Sequence, residues 1–395
     1  MIGKTIISLI PIVFIAHVIH FLGIFSASLE YQEKYSDCEY VQVKGFDSVG
    51  PEDSVFYNKD ILIAMQVNLH KIFQIESLET AKKGGFYAVY GISTGKLEAK
   101  KIQIKNYPDN IIFIPHGIYL RDSNYLHVIN HSFYSGGERV DTFKIQLDEK
   151  GEVTLEYLHY TQMDEKFNGI TNDIAFLTAE RFLISDWMVF PAPLSGPKDQ
   201  PAWQKVVTMI IQTLKIKTTY VWDCTYVQGG LATCSKLRNS AGIMINGIAF
   251  DGKDTIAVAD TADRQIKLFR LNNSNQEIDL IQNLSVDQLP DNITYDTVNK
   301  QFISAGLNSI SEFLTLTPKI EKIQQNPTKK SIVDMEGRVH TIKLNPTTKQ
   351  FESQLLFSSS KAVAGLSGAL IDESQKYLFL NSFPDKSLVV CTRRS

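Results

Sequence analysis

Carboxylate and amide side chains recur directly before short apolar runs, and these residues are the ones best suited to chemistry. They are Glu52, Asp53, Asn172, Asp173, Asn246, Asp291 and Asn292. All carry oxygen ligands, and a mixture of carboxylates and amides is the chemistry that calcium prefers. A single Asp or Asn before a strand usually caps a turn, so it is the recurrence that favours a shared calcium site.

Three of the eight histidines fall in the stretch "FIPHGIYLRDSNYLHVINHSF". His116 opens one apolar run and His131 closes the next, whereas His127 lies inside the second run. A histidine inside such a run is most often a core residue, and we interpret His127 in that way. His116 and His131, at strand ends, are candidates for the same site as the acidic residues.

Several other functions are excluded by what the sequence lacks. There is no Cys/His spacing typical of a zinc site, no glycine-rich phosphate loop and no G-x-S-x-G nucleophile motif. The serine of "YGISTG" is out of frame for that motif. The net charge of -3 gives no basic surface for nucleic acid, so no nucleic-acid partner is expected.

Short period-two runs separated by Gly, Asn, Asp and Pro predict an all-β fold after residue 40. A repeated unit places a polar residue and then Gly, Asp or Asn before Ile at a strand start, as in "PHGIYL", "TNDIAF", "INGIAF" and "PDNITY". Repeated four-stranded units whose inner strands begin with polar residues indicate a β-propeller with one central channel. A helix is predicted once, over residues 202–216, inserted between strands.

Residues 1–28 predict a secretory signal peptide or a membrane anchor. Lys4 precedes a long apolar run, and the small residues Ser26 and Ser28 fit cleavage after Ser28. The run is also long enough to span a bilayer, so contact with a membrane or lipid through this segment is the alternative. Either interpretation places the bulk of the chain outside the cytosol.

The chain has four cysteines, Cys38, Cys224, Cys234 and Cys391, which allow three pairings. A local pair with an end-to-end pair is the most economical, and four free thiols are the alternative. Sequons at Asn272 and Asn283 are predicted glycosylation sites. The sequons at Asn130 and Asn292 fall inside the motifs quoted for the site.

The motifs also have a family resemblance. "SDCEYVQVKGFDSVGPED", "PHGIYL", "VINH", "TNDI", "INGI", "PDNITYD" and "LVVC" occur in the same order as in the paraoxonase/arylesterase family of calcium-dependent lactonases. The chain resembles that family over residues 36–391. The resemblance implies a six-bladed β-propeller as the catalytic domain, with two calcium ions in its channel.

Residue roles follow from the same resemblance. The catalytic calcium would take Glu52, Asn172, Asn246, Asp291 and Asn292, and the structural calcium would take Asp53, Asp173 and the backbone carbonyl of Ile118. His116 and His131 match the family's histidine pair, and Cys38 and Cys391 match its end-to-end disulfide. Cys224 and Cys234 have no counterpart, and the segment from Trp187 to Ala241 is longer than in the family.

The expected reaction is hydrolysis of a lactone or aryl ester. Calcium would stabilise an oxyanion, His116 would act as general base, and His131 would orient it or relay the proton. One alternative is a gluconolactonase-type propeller hydrolase with one metal. Another is a secreted propeller that binds a ligand without catalysis.

Overall fold

The computed structural model describes residues 15–394, except 20, 42, 44–49, 68–83, 133–134, 191–200, 273, 275, 317–318, 327, 329 and 333. Its strands form six sheets, five with four strands and one with five. The sheets form a ring, because the inner strands of successive sheets pack against one another. The last sheet meets the first through hydrogen bonds from Ser54 to Asn381 and from Ser367 to the Glu52 carbonyl. The predicted six-bladed β-propeller is therefore confirmed.

Each blade is an antiparallel meander that runs outward from the axis. The inner strands are Ser54–Asn58 (β2), Pro115–Arg121 (β7), Thr171–Phe176 (β11), Ile245–Phe250 (β15), Leu289–Asp296 (β19) and Leu366–Ile371 (β23). The second strands are Ile61–Gln66 (β3), Tyr125–Ser132 (β8), Arg181–Asp186 (β12), Thr255–Asp260 (β16), Gln301–Leu307 (β20) and Tyr377–Ser382 (β24). The third strands are Gly85–Tyr90 (β4), Gly137–Leu147 (β9), Val221–Thr225 (β13), Gln265–Leu271 (β17), Gly337–Leu344 (β21) and Val389–Arg393 (β25). The outer strands are Glu98–Lys101 (β5), Val153–Gln162 (β10), Cys234–Lys236 (β14), Ile278–Ser285 (β18), Phe351–Ser359 (β22) and Tyr35–Tyr40 (β1), and Gln103–Lys105 (β6) adds a parallel edge to β10.

The burial of each strand follows its place in the blade. Second strands such as β3 ("ILIAMQ") and β16 ("TIAVAD") are apolar almost throughout, because neighbouring blades cover both of their faces. The outer strand β18 ("IDLIQNLS") alternates between more buried and exposed residues after its first position, because one face meets water. The core therefore lies between the blades, and the polar residues at inner-strand starts are left to the axis.

The ring is closed by its two ends. Strand β1, from the N-terminal part, pairs with β25 in the last blade, and the disulfide between Cys38 and Cys391 joins the same two strands. A second disulfide joins Cys224 on β13 to Cys234 on β14. Both predicted pairs are present, and no cysteine is free among the described residues. Two disulfides are typical of a protein from an oxidising compartment.

The helices differ in part from the sequence prediction. Helix α1, Ala202–Thr213, lies between β12 and β13 and is three residues shorter than predicted. It ends there because Lys215 adopts a left-handed φ of 54°. Two short helices, Ile310–Leu314 (α2) and Ile320–Gln324 (α3), were not predicted, and the fold therefore has more than one inserted helix. A 3-10 turn spans Glu165–Phe167.

The end of the predicted signal or anchor segment lies against the propeller. Phe21 is 8% exposed and packs with Ile243 and Ala262. The carbonyl of Ala27 accepts a hydrogen bond from the Arg338 Nη2 at 3.0 Å. Residues 1–14 of the segment lie outside the described residues, and cleavage after Ser28 stays a prediction.

No described helix is both long and apolar enough to cross a membrane.

The sequons fall into two groups. Asn130 and Asn292 are 0% and 3% exposed, and the amide of each donates hydrogen bonds inside the protein. Asn272 and Asn283 are exposed, and glycosylation of these two stays a prediction.

Opening the two disulfides should have unequal effects on stability. The Cys38–Cys391 bond closes a loop with a sequence separation of 353, and the Cys224–Cys234 bond closes one of 10. Loop entropy then assigns about 5 to 6 kcal/mol to the first and about 3 kcal/mol to the second. Urea unfolding of the two double Cys→Ser variants checks this. An equal loss in both would show that closure of the ring by β1 does not depend on the disulfide.

Candidate active site

Every blade presents two consecutive residues where its inner strand starts, and these positions form two adjacent rings around the axis. The first ring holds Glu52, His116, Asn172, Asn246, Asp291 and Ser367, and the second holds Asp53, Gly117, Asp173, Gly247, Asn292 and Gly368. In five inner strands the pairing with the second strand is interrupted at this point. Such a bulge breaks the strict alternation of a regular strand, so both residues of a pair can face the axis.

Glycine occupies every second position of the second ring for a steric reason. A Cβ atom on Gly117 would lie 2.5 Å from the Asn172 carbonyl oxygen, and one on Gly247 would lie 2.6 Å from the Asp291 carbonyl oxygen. Only glycine fits at such distances, because real Cβ atoms do not approach backbone so closely. The inner strands can therefore come close together, and the polar side chains between the glycines fill the axis.

Two carboxyl groups of the second ring connect neighbouring blades. Asp53 accepts a hydrogen bond from the Ile118 N–H at 2.9 Å, and Asp173 accepts one from the Ile248 N–H at 2.7 Å. Each also accepts from the N–H of the residue that follows it, at 2.7 Å. A carboxylate has about four acceptor positions, so both can still bind a cation. The Ile118 carbonyl stays a predicted ligand.

Three buried oxygen atoms of the first ring have no hydrogen-bond partner among the residues that the structure describes. They are Glu52 Oε2, Asn172 Oδ1 and Asn246 Oδ1. An unpartnered buried polar group costs about 1–3 kcal/mol and requires an explanation. A cation at the axis satisfies all three at once, and carboxylate and amide oxygens are suitable ligands for calcium. The residues present therefore fit the metal that the sequence predicts.

The acidic groups of the rings also favour a cation electrostatically. Burial, followed by the charges of Asp291 and Asp53, raises the pKa of Glu52 well above its usual value. Burial raises the pKa of Asp53 and of Asp291 to about 7, and burial with the charge of Asp53 raises the pKa of Asp173. Each carboxylate is thus unfavourable in its charged form unless positive charge is nearby.

Asparagine side chains complete the predicted set of calcium ligands. Among the described residues, no group of three or more His, Cys, Asp or Glu side chains is arranged to hold a metal by itself. The predicted set depends on asparagine as well, through Asn172, Asn246 and Asn292. All side chains predicted to bind calcium do lie in the two rings.

The two histidines predicted at strand ends meet in the structure. His116 Nδ1 lies 2.8 Å from His131 Nε2, because β7 and β8 are antiparallel neighbours. Burial, followed by the charge of His131, lowers the pKa of His116 well below its usual value. His116 Nε2 lies 3.9 Å from Glu52 Oε2. A neutral imidazole at this place can accept a proton beside the ring of oxygen ligands.

His127 lies elsewhere, as the sequence predicted. Its Nδ1 is 3.1 Å from Thr142 Oγ1, and its ring stacks on Phe176 at 4.0 Å. The side chain is 0% exposed and belongs to the packing between blades. It therefore has no part in the site.

A cavity of about 500 Å³ lies above the first ring. Polar groups form part of its lining, including Glu52, His116 and Asn172. The other walls are mostly apolar, with Gln212 and Thr261 as polar exceptions. The apolar residues are Phe21, Trp187, Met188, Met244, Ala262, Leu289, Leu307, Ile310, Phe313, Leu314, Leu316, Ile320 and Phe383. The cavity can hold a small molecule with its polar end at the ring and its apolar part between these walls.

Helices α2 and α3 supply part of this wall, and the sequence analysis missed them. Ser309 Oγ accepts a hydrogen bond from the Glu312 N–H at 3.2 Å and so caps α2. A Ser followed by Glu three residues later is a recognised start signal for a helix. That signal could have located the wall.

The sequence profile described as Arylesterase matches residues 58–309, more than half of the chain. This chain belongs to the arylesterase family. The resemblance carried by the sequence motifs is thereby confirmed. No curated protein matches this arylesterase-family chain at a significant level.

Two solved structures are similar to this arylesterase-family chain over most of their length. A luciferin-regenerating enzyme is 12% identical, with a TM-score of 0.49, and the match covers 90% of this chain and 95% of that chain. A gluconolactonase from Xanthomonas campestris is 13% identical, with a TM-score of 0.47 and coverage of 93% and 99%. At this level of sequence identity and structural similarity, the activities of these two proteins are not transferred to this chain.

Without metal, this arylesterase-family protein should lose stability as the pH rises from about 4 to about 7. The folded protein keeps protons on Asp53 and Asp291 up to a pKa of about 7, whereas an unfolded Asp releases its proton near pH 4. The unfolded state therefore binds fewer protons in this window, and the free energy of unfolding falls with pH. Urea midpoints at several pH values in chelator would measure the slope.

The matched variant is Asp291→Asn, which should flatten the slope because it removes one of the titrating groups. A metal-free midpoint that rises steadily between pH 4 and 7 would contradict the electrostatic description of the rings.

Proposed function

We propose that this chain is a calcium-dependent hydrolase of lactones and aryl esters. The observation that carries the proposal is the group of unpartnered buried oxygens on Glu52, Asn172 and Asn246, next to the paired histidines at the cavity. Membership of the arylesterase family supports the hydrolase class. The two disulfides support a secreted or extracytoplasmic location.

The two rings provide ligands for two ions. The catalytic ion would be held by Glu52, Asn172, Asn246, Asp291 and Asn292, and the structural ion by Asp53, Asp173 and the Ile118 carbonyl. A bound calcium ion supplies Lewis-acid stabilisation of the negative charge that develops on an ester carbonyl oxygen.

The residues of the chain would perform the remaining steps. His116 is kept neutral by burial, so its Nε2 lone pair is available to take a proton from water. His131, 2.8 Å away, holds the imidazole in place and shares the positive charge. The apolar walls hold the hydrocarbon part of the substrate and keep bulk water out.

Removal of calcium should abolish activity and lower the melting temperature together, because ions that bind only the folded state stabilise it. A panel of lactones and aryl esters, assayed before and after chelation, measures the first effect, and thermal unfolding measures the second. Calcium should restore both, whereas magnesium should not, because magnesium demands a smaller octahedral shell. Full activity after exhaustive chelation would exclude calcium dependence.

Replacement of the histidines should separate catalysis from metal binding. His116→Gln removes the base and leaves the ligands, so turnover should fall on the order of 10²-fold or more, with calcium affinity little changed. His131→Gln should cause a smaller loss. His127→Gln is the matched control, because His127 is equally buried but lies outside the site, and its turnover should be almost normal.

The readout is turnover per calcium-loaded molecule for the three variants. Near-normal turnover of His116→Gln on every substrate would show that the histidine pair is not catalytic. Calcium binding by a protein inactive on the whole panel would instead favour a propeller that binds a ligand without catalysis.

A further inference from the structure

A buried carboxyl group outside the two rings extends the histidine pair. Glu138 lies on β9 directly opposite His131 on β8, and its side chain is 0% exposed. Its Oε1 is 2.7 Å from His131 Nδ1. Glu138, His131 and His116 therefore form one continuous hydrogen-bonded chain that leads to the cavity.

The groups around Glu138 donate hydrogen bonds to its carboxyl oxygens. Its Oε1 accepts a hydrogen bond from the Thr171 hydroxyl, and its Oε2 accepts one from the Gly169 N–H at 3.1 Å. The backbone is also fixed, because the Glu138 N–H donates to Asn168 Oδ1 at 3.1 Å. With donors on both oxygens, the group behaves as a carboxylate and not as a carboxylic acid.

This arrangement determines which nitrogen atoms carry protons. A carboxylate only accepts, so His131 Nδ1 must be the N–H. In a neutral ring, His131 Nε2 is then an acceptor, and the neighbouring His116 Nδ1 must donate to it. The remaining nitrogen, His116 Nε2, keeps its lone pair on the cavity side. It lies 3.5 Å from the Asn172 amide nitrogen, which can donate to it, and 3.9 Å from Glu52 Oε2.

We propose that Glu138 is a positioning residue that fixes the tautomer and orientation of His131, and through it the direction of the His116 lone pair. The inference rests on the proposed ester hydrolysis. In that reaction His116 Nε2 takes a proton from water while the water oxygen forms the bond to the ester carbonyl carbon. The proton on His116 Nδ1 can then move to His131 Nε2, where the positive charge lies beside Glu138. The attack moves the C=O electron pair onto the carbonyl oxygen. When C=O re-forms, the C–O bond to the leaving group breaks, the proton on His131 Nε2 returns to His116 Nδ1, and His116 Nε2 gives its proton to the leaving alkoxide or aryloxide. The products are the carboxylic acid and the alcohol or phenol, and no charge is left on the protein.

The sequence offers a matched control three positions away on the same strand. Asp141 is also 0% exposed, and its carboxyl group accepts hydrogen bonds from Tyr107 at 2.9 Å and Asn130 at 2.8 Å. It also pairs with Arg139 Nε at 2.8 Å, so the Asp141 variant removes a buried ion pair as well and is the more demanding comparison. Asp141 has no contact with either histidine of the pair among the described hydrogen bonds. Glu138→Gln and Asp141→Asn each exchange one buried carboxylate for an amide of the same shape.

The experiment uses the full calcium-loaded chain and two independent readouts. Long-range proton–nitrogen NMR of the histidine rings should show wild-type His131 protonated at Nδ1, and this single tautomer should be lost in Glu138→Gln and retained in Asp141→Asn. A carboxamide presents an NH₂ group to at least one of the three donors, so it cannot reproduce the acceptor set. Turnover of Glu138→Gln should fall about 10²-fold with KM little changed, since a histidine in the wrong tautomer is a poor base.

The outcomes distinguish this inference from the proposed function. Unchanged ring nitrogen signals in Glu138→Gln, or a loss of turnover no larger than in Asp141→Asn, would overturn the role of Glu138. If Glu138→Gln does not fold, the wild-type spectrum alone decides, because His131 protonated at Nε2 would contradict the proposal. A wild-type protein with the expected tautomer but no activity on any ester or lactone would instead refute the proposed hydrolysis, and the reaction step with it.

Discussion

The burial of like-charged carboxyl groups at the axis is the constraint on which this propeller depends. Glu52, Asp53 and Asp173 are all at least 94% shielded from water. Taking an ionised carboxylate out of water costs several kcal/mol even after the protein relaxes. Favourable partners must therefore be in place before the ring is stable. Backbone N–H groups supply some of them, and Glu52 Oε2, which has no partner among the described residues, shows that they do not supply all.

Those amides come from neighbouring blades, which couples the site to the assembly of the whole ring. Asp53, just before the first blade, accepts a hydrogen bond from the Ile118 N–H of the second blade. Asp173 of the third blade accepts one from the Ile248 N–H of the fourth. Each of these carboxyl groups has one partner in its own strand and gains the second only when the next blade is docked. The glycines between them set how closely the strands meet. The site is consequently a property of six packed blades and not of any single strand.

The sequence predicted the rings well because polar residues at inner-strand starts recur with a fixed apolar context. It missed the unit at β23, since Ser367 and Gly368 carry neither a carboxylate nor an amide. It also gave no sign of Glu138, because a polar residue near the start of a strand is ordinary, and its role comes only from cross-strand register with His131. The end of α1 depended on one left-handed residue, Lys215, which propensity alone does not reveal.

The last blade combines strands from both ends of the sequence: its outer strand is β1, and its other strands are β23, β24 and β25. This arrangement affects how the chain can fold while it is being synthesised. A ribosome releases β1 long before β25, so a growing chain carries one unpaired strand edge until its final residues emerge. Exposed strand edges are templates for pairing with other chains. A product that stops short of Cys391 can neither cover that edge nor form the terminal disulfide. A chain that lacks β25 therefore leaves the edge of β1 open to pairing with other chains.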